Sequence, residues 1–144
     1  RETGLIAIHD GARPFVTQEV LEAAIRKAAE CGAAAPAVPV TDTIKRARDG
    51  VVEETLDRET LFAVQTPQVF EAALIQAALQ KAAEEGLSLT DDCAAVERLG
   101  MPVALTPGDP SNLKLTTPED LDLGLGILQG RGSCCERLSH WPRL

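Results

Sequence analysis

Short apolar runs alternate along this chain with longer stretches in which apolar positions recur every three or four residues. Leu5 to His9 is nearly all apolar, the pattern of a strand covered on both faces in a parallel sheet. It runs into Asp10-Gly11-Ala12-Arg13-Pro14, after which Thr17 can cap a helix. Within that helix Val20, Leu21, Ala24, Ile25 and Ala28 form one stripe, and Gly32 supplies the stop. Ala33 to Val38 reads as a second strand, with Pro36 arguing for an edge position or an irregular segment.

The texture then changes. Thr43 to Ala47, the Asp49-Gly50 pair and Val51 to Leu56 together predict a β-hairpin with polar, charged strands. Such a ribbon is marginal alone in water, so it reads as an arm that packs on a partner subunit. Leu61 to Val64 resumes a core-like strand, and Gln65-Thr66-Pro67-Gln68 a loop. Glu71 to Glu85 carries Ala72, Leu74, Ile75, Ala78, Leu79 and Ala82 at helical spacing, with Gly86 beyond its end. Thr90 reads as the cap of a short helix closed by Gly100, with Asp91 and Asp92 in its first turn. Val103 to Leu105 and Leu113 to Leu115 read as strands around the Pro107-Gly108-Asp109-Pro110 turn. Thr117-Pro118-Glu119-Asp120 then offers a cap, Pro at the first helical position and an acid at the third, opening a final helix to about Leu128.

Strands alternating with helices predict a doubly wound α/β fold with a mainly parallel sheet and ligands at the carboxyl ends of its strands. Residues 129–144, with Cys134-Cys135, His140 and Trp141, show no period and read as an irregular tail. The 144 residues fit one domain, and 44% hydrophobic content is enough for a core. No run of about 18 apolar residues appears, and the opening lacks the basic and apolar regions of a signal peptide. The expectation is therefore a cytoplasmic protein with no membrane partner. A net charge of −8, with −10 on residues 1–128 and +2 on the tail, repels polyanions and excludes nucleic acid as a partner. Cys31, Cys93, Cys134 and Cys135 form no CxxC pair, so reduced thiols are expected rather than a zinc site or disulfide framework.

Candidate chemistry gathers at element edges. Asp10 stands at the carboxyl end of the first strand, beside Gly11, where a Mg²⁺ or ribose contact and a plain turn before Pro14 are both consistent readings. His9 reads as a packed strand residue. Arg13, Arg58 and Lys114 are cations that together could hold phosphate, although each alone also reads as a solvated surface group. Thr43 and Thr90 offer hydroxyls that strand propensity and capping explain equally well. The residues alone lead as far as an α/β domain suited to a small anion.

Six motifs in order carry the reading further: His9-Asp10-Gly11-Ala12-Arg13-Pro14-Phe15, Pro39-Val40-Thr41-Asp42-Thr43-Ile44-Lys45, Leu56-Asp57-Arg58, Gln65-Thr66-Pro67-Gln68-Val69-Phe70, Thr90-Asp91-Asp92 and Asn112-Leu113-Lys114-Leu115-Thr116. From about Leu5 to Leu128 the chain resembles the 2-C-methyl-D-erythritol 4-phosphate cytidylyltransferase family. The resemblance implies the nucleotidyltransferase (Rossmann-like) variant of the doubly wound fold. It also implies transfer of CMP from CTP, the co-substrate, to methylerythritol phosphate in non-mevalonate isoprenoid biosynthesis, with a hydroxyl of the acceptor attacking the α-phosphate in line and pyrophosphate released.

Mg²⁺ and fixed cations would carry most of such a transfer. Asp10 would bind substrate and organise the metal and nucleotide, with Gly11, Ala12 and Arg13 shaping the same pocket. Thr90 would contact the sugar-alcohol phosphate, while Lys114 and Arg58 serve as the catalytic cations and Lys114 positions the acceptor. Thr43 and Arg58, on or beside the arm at about residues 40–60, would reach into the neighbouring subunit's site, which implies a homodimer. The family's Gly-rich CTP loop is absent from residues 1–144, so residues 1–128 read as the carboxyl-terminal part of an incomplete domain, binding CTP poorly and turning over little. The rival readings are a ribitol 5-phosphate type of cytidylyltransferase and a non-catalytic dimerisation or binding module.

Overall fold

A computed structural model describes residues 4–138, with residues 132–138 as backbone alone. Its centre follows from alternation inside an apolar run. In β2 (Ala33–Pro39), Ala33 and Ala35 face one side and pack with Phe70, Ile75, Ala78, Cys93, Ala95 and Val96. Ala34 faces the other and packs with Val69, Ala24 and Ala28. Helices therefore cover both faces, α1 (Gln18–Cys31) on one and α2 (Ala72–Glu84) with α3 (Asp92–Arg98) on the other. Fully burying a side chain the size of Phe70 or Ile75 contributes about 1.5 to 3 kcal/mol.

The main sheet adds β1 (Leu5–Ile8), β5 (Phe62–Val64), β6 (Gln68–Glu71) and β7 (Ala104–Pro107). β6 lies antiparallel between β1 and β2, β5 continues antiparallel along β2, and β7 pairs parallel with it. It follows that β1, β2 and β7 run one way, against β5 and β6. Three of these five strands share a direction, and β2–β7 is the one parallel ladder of the four among the described strands.

Several local expectations hold. Thr17 Oγ1 accepts from Val20 N, and Gly32 ends α1 at φ 89°. β3 (Lys45–Arg48) and β4 (Val51–Thr55) form a separate two-stranded sheet, and Asp49 and Gly50 both take positive φ, as a tight turn of the primed kind demands. Every residue from Thr41 to Thr55 is exposed.

Other expectations are corrected. β1 pairs with β6 alone among the described strands, and Leu5 and Ala7 are exposed, so it is not covered on both faces. Pro36 is fully buried in the central strand rather than at an edge. Pairing passes from β6 at Ala34 to β5 at Ala37, so the missing N–H falls in the gap between two ladders, where Pro36 O accepts from Gln65 N at 2.7 Å. Residues 62–64 are exposed rather than core-like, and the buried strand is β6, with Gln68 expected as the end of a loop and Glu71 as the start of a helix. Leu113–Leu115 is not a strand; its Leu115 N donates to Ala12 O at 2.8 Å. Asp91, not Thr90, caps α3, with Oδ1 accepting from Ala94 N at 3.0 Å. The last helix, α4 (Pro118–Leu138), passes well beyond Leu128, so residues 129–138 of the expected irregular tail are helical. His140, Trp141 and the side chains of Cys134 and Cys135 lie outside the described residues.

Candidate functional site

Where β1 ends, Asp10 is gripped from two directions. Its Oδ2 lies 2.8 Å from Lys114 Nζ and its Oδ1 accepts from Ala12 N at 3.0 Å. The Lys114 bond, then the Ala12 amide, hold the carboxyl below the usual aspartate range, outweighing the opposing effect of burial. Arg13 closes the same turn: its N donates to Asp10 O at 3.0 Å and its Nη1 to Asn112 O at 2.7 Å. Burial lowers the Arg13 pKa, opposed by the Asp10 charge; a guanidinium stays protonated under such shifts. The buried Arg13 Nε has no protein partner. A Cβ at Gly11 would meet nothing within 4 Å, so the space above the turn is open. Two cations and one carboxylate thus converge in a chain that is acidic overall. Such a triad can hold a phosphate monoester, with the Asp10–Lys114 pair setting where the ammonium stands.

Buried polar side chains fix this geometry. Asn112, wholly buried, donates from Nδ2 to Thr66 O at 2.9 Å and to Gln65 Oε1 at 3.3 Å. Gln65 in turn donates to Asp109 O and accepts from Asp109 N, pinning the turn before Lys114 to the segment between β5 and β6. Thr66 Oγ1 accepts from Asp10 N at 3.0 Å. Gln68 donates to Asp91 Oδ2 at 2.9 Å and accepts from Cys93 N, and Gln68 is also the β6 partner of Ile8. Thr90, exposed and next to Asp91, is thereby tied to the same end of β1.

Of the sequence-expected residues, Asp10, Gly11, Ala12, Arg13 and Lys114 come together directly, and Thr90 is linked to them only indirectly, through Asp91 and Gln68. Thr43 and Arg58 stand apart at the arm. Thr43 precedes β3 and is exposed, and Arg58 opens a short 3₁₀ turn (Arg58–Thr60), from which Nη1 donates to Thr41 O at 2.8 Å. That bond braces the foot of the arm. His9 is corrected: it lies past the strand, exposed, with both ring nitrogens in hydrogen bonds. Sequence reasoning missed the roles of Gln65, Thr66, Gln68 and Asn112. Their one signal was four polar residues inside or beside apolar runs, in the motifs already quoted. Among the described residues no three His, Cys, Asp or Glu side chains converge on a metal site. Asp10 is a single carboxylate, which suits Mg²⁺ held by one protein ligand and substrate phosphates rather than by a protein cage.

A family model described as 2-C-methyl-D-erythritol 4-phosphate cytidylyltransferase matches residues 1–129. The enzyme of that name from Desulforamulus reducens is 51% identical over 136 residues, covering 94% of this chain and 58% of the relative. The one from Geobacillus kaustophilus is 50% identical over 127 residues, covering 88% of this chain and 56% of the relative. Among solved structures, the Thermus thermophilus protein of the same name superposes with a TM-score of 0.80 at 38% identity, covering 87% of this chain and 62% of that one. The 4-diphosphocytidyl-2C-methyl-D-erythritol synthase of Anaerococcus prevotii gives 0.80 at 33% identity, covering 87% and 58%. The chain thus spans little more than half the length of the relatives it matches. Its architecture is the doubly wound, Rossmann-like one expected from the sequence.

Proposed function

Because the chain belongs to the 2-C-methyl-D-erythritol 4-phosphate cytidylyltransferase family, we propose that it forms the acceptor-phosphate side of a site that transfers CMP from CTP to 2-C-methyl-D-erythritol 4-phosphate. The observation that carries this reading is the convergence of Asp10, Arg13 and Lys114 at the end of β1, with Lys114 Nζ held 2.8 Å from Asp10. The diphosphate in the expected product requires that a phosphate oxygen of the acceptor, rather than a hydroxyl, attacks the α-phosphorus of CTP. A new P–O–P link forms, the bond from the α-phosphorus to the bridging oxygen breaks, and pyrophosphate leaves with that electron pair.

Lys114 and Arg13 bind and orient the acceptor phosphate and offset its charge as the two anions approach. Asp10 keeps Lys114 extended toward the ligand and is the residue that would hold Mg²⁺, with phosphate oxygens as its other ligands. When bound, the ion neutralises charge on the nucleotide phosphates. The open backbone at Gly11 and Ala12 shapes the floor, and Thr90 adds a hydroxyl to the acceptor. A second copy supplies Thr43 and Arg58 from its arm, making the assembly a homodimer.

Phosphorus NMR titration of the chain with methylerythritol phosphate, alongside ribitol 5-phosphate, tests the acceptor side. Binding of the first in preference to the second, weakened about tenfold or more in Lys114→Ala, is expected. No binding of methylerythritol phosphate, or preference for ribitol 5-phosphate, overturns the assignment. Pyrophosphate release from CTP is expected to be slight with these residues alone and substantial in a chain extended to the length of its relatives.

A further inference from the structure

An exposed histidine ordinarily leaves its ring nitrogens to water, yet both nitrogens of His9 are engaged inside the protein. Nε2 lies 2.9 Å from Arg13 O and Nδ1 2.9 Å from Thr66 Oγ1. A carbonyl oxygen only accepts, so Nε2 carries the hydrogen and donates to Arg13 O. With Nε2 the donor, Nδ1 of an uncharged ring accepts, so Thr66 Oγ1 accepts from Asp10 N–H at 3.0 Å and turns its own hydrogen to Nδ1. The bonds run in one sense from Asp10 N–H to Thr66 hydroxyl to Nδ1, while Nε2–H reaches the far end of the same turn. One rigid ring ties the first residue after β1 to the last residue of the Asp10–Arg13 turn and to the loop preceding β6.

We propose that His9 is a positioning residue that holds the Asp10–Arg13 turn against Thr66 and so keeps Asp10 and Arg13 in register with Lys114 for an anionic ligand. The ligand part of this inference rests on the phosphate reading above; the organisation of the turn does not. The role calls for a donor and an acceptor on opposite sides of one planar side chain. Glutamine in place of His9 carries a donor and an acceptor at the same end of its amide and so keeps one of the two bonds, and alanine keeps neither.

The experiment uses the 144-residue chain and three readings. Long-range proton–nitrogen NMR of the uncharged imidazole is expected to show the Nε2–H tautomer; the Nδ1–H tautomer overturns the assignment. Amide hydrogen exchange at Asp10, Ala12 and Arg13 is expected to accelerate about tenfold in His9→Ala and less in His9→Gln, with Gly32 N–H unchanged. Thr66→Val is expected to expose Asp10 N–H in the same way, and Thr66→Ser to keep it protected. Unchanged exchange in His9→Ala and Thr66→Val, with the folds intact by circular dichroism, overturns the proposal. With methylerythritol phosphate as probe, His9→Ala is expected to bind about tenfold more weakly than wild type without loss of global stability. If wild type fails to bind the probe, the phosphate reading falls, while the exchange rates still decide whether His9 organises the turn.

Discussion

Replacing Asn112 tests whether one buried amide ties the site together. Its side chain is wholly buried, Nδ2 donates to Thr66 O and Gln65 Oε1, and its own carbonyl accepts from Arg13. In Asn112→Ala each lost bond costs about 1 kcal/mol net, and leaving the Thr66 carbonyl unpaired adds about 1 more. Oδ1 has no protein partner, so removing it returns about 1 kcal/mol of desolvation. The expected loss is about 2 kcal/mol, a fall in Tm of about 4 to 10 °C. Asn112→Asp places an oxygen where the donor stood, facing Thr66 O and Gln65 Oε1. Burial raises the folded pKa of that new carboxyl, so its penalty relative to alanine is absent below the ordinary aspartate value of about 3.9 and grows as pH rises above it. Urea unfolding followed by circular dichroism, at about pH 4 and about pH 7, measures both effects. An alanine variant within about 0.5 kcal/mol of wild type, or an aspartate variant as stable as the alanine one near neutrality, would refute the reasoning.

Three further outcomes follow from the same geometry. The Asp10 carboxyl is held low by Lys114 first and Ala12 second, so it contributes stability above the ordinary aspartate pKa that is lost as pH falls through its lower folded value. Lys114→Met removes the larger cause and is expected to flatten the acid limb of an unfolding-versus-pH curve; an unaltered limb contradicts the pairing. The Cys93 thiol is pushed up to about 12 by burial and then by nearby acids. It is expected to escape iodoacetamide at about pH 8 until urea unfolds the chain, as peptide mass mapping would read. In Gly108→Ala the new Cβ would stand 2.6 Å from Gln65 Oε1 and 3.0 Å from the Ala37 carbonyl carbon and oxygen. A loss of about 1 to 3 kcal/mol in urea unfolding is expected, because Gln65 can retreat only by releasing Asp109 and Asn112.

What could be read in advance was whatever local chemistry decides. The stripe from Val20 to Ala28, bracketed by Thr17 and Gly32, defined α1 because period, cap and stop agree. Asp49-Gly50 announced the arm because two successive positive-φ positions suit few other pairs. Thr117, Pro118 and Asp120 marked the start of α4, and Asp120 Oδ2 indeed accepts from the amides of Thr116 and Thr117. β6 escaped because Val69-Phe70 is too short a run to signal a strand, and its burial comes from β1 and β2 on either side. Leu113 and Leu115 imitate a strand, yet their segment is shaped by Asn112 and by the bond to Ala12 O. In the site, the charged residues were legible as motifs, whereas Asn112, Gln65 and His9 matter through partners many residues away, which no periodicity encodes.

The hairpin leaves the body and returns to it at a single doorway. Val40 N donates to Leu61 O, Leu56 N to Ile44 O, and Arg58 latches Thr41, while the hairpin's two strands form a sheet of their own. Mechanically it is a cantilever clamped at one end. Changes of length or sequence near Asp49-Gly50 load that root and not the central strands, so the tip can be recut while the fold that carries it stays as it is.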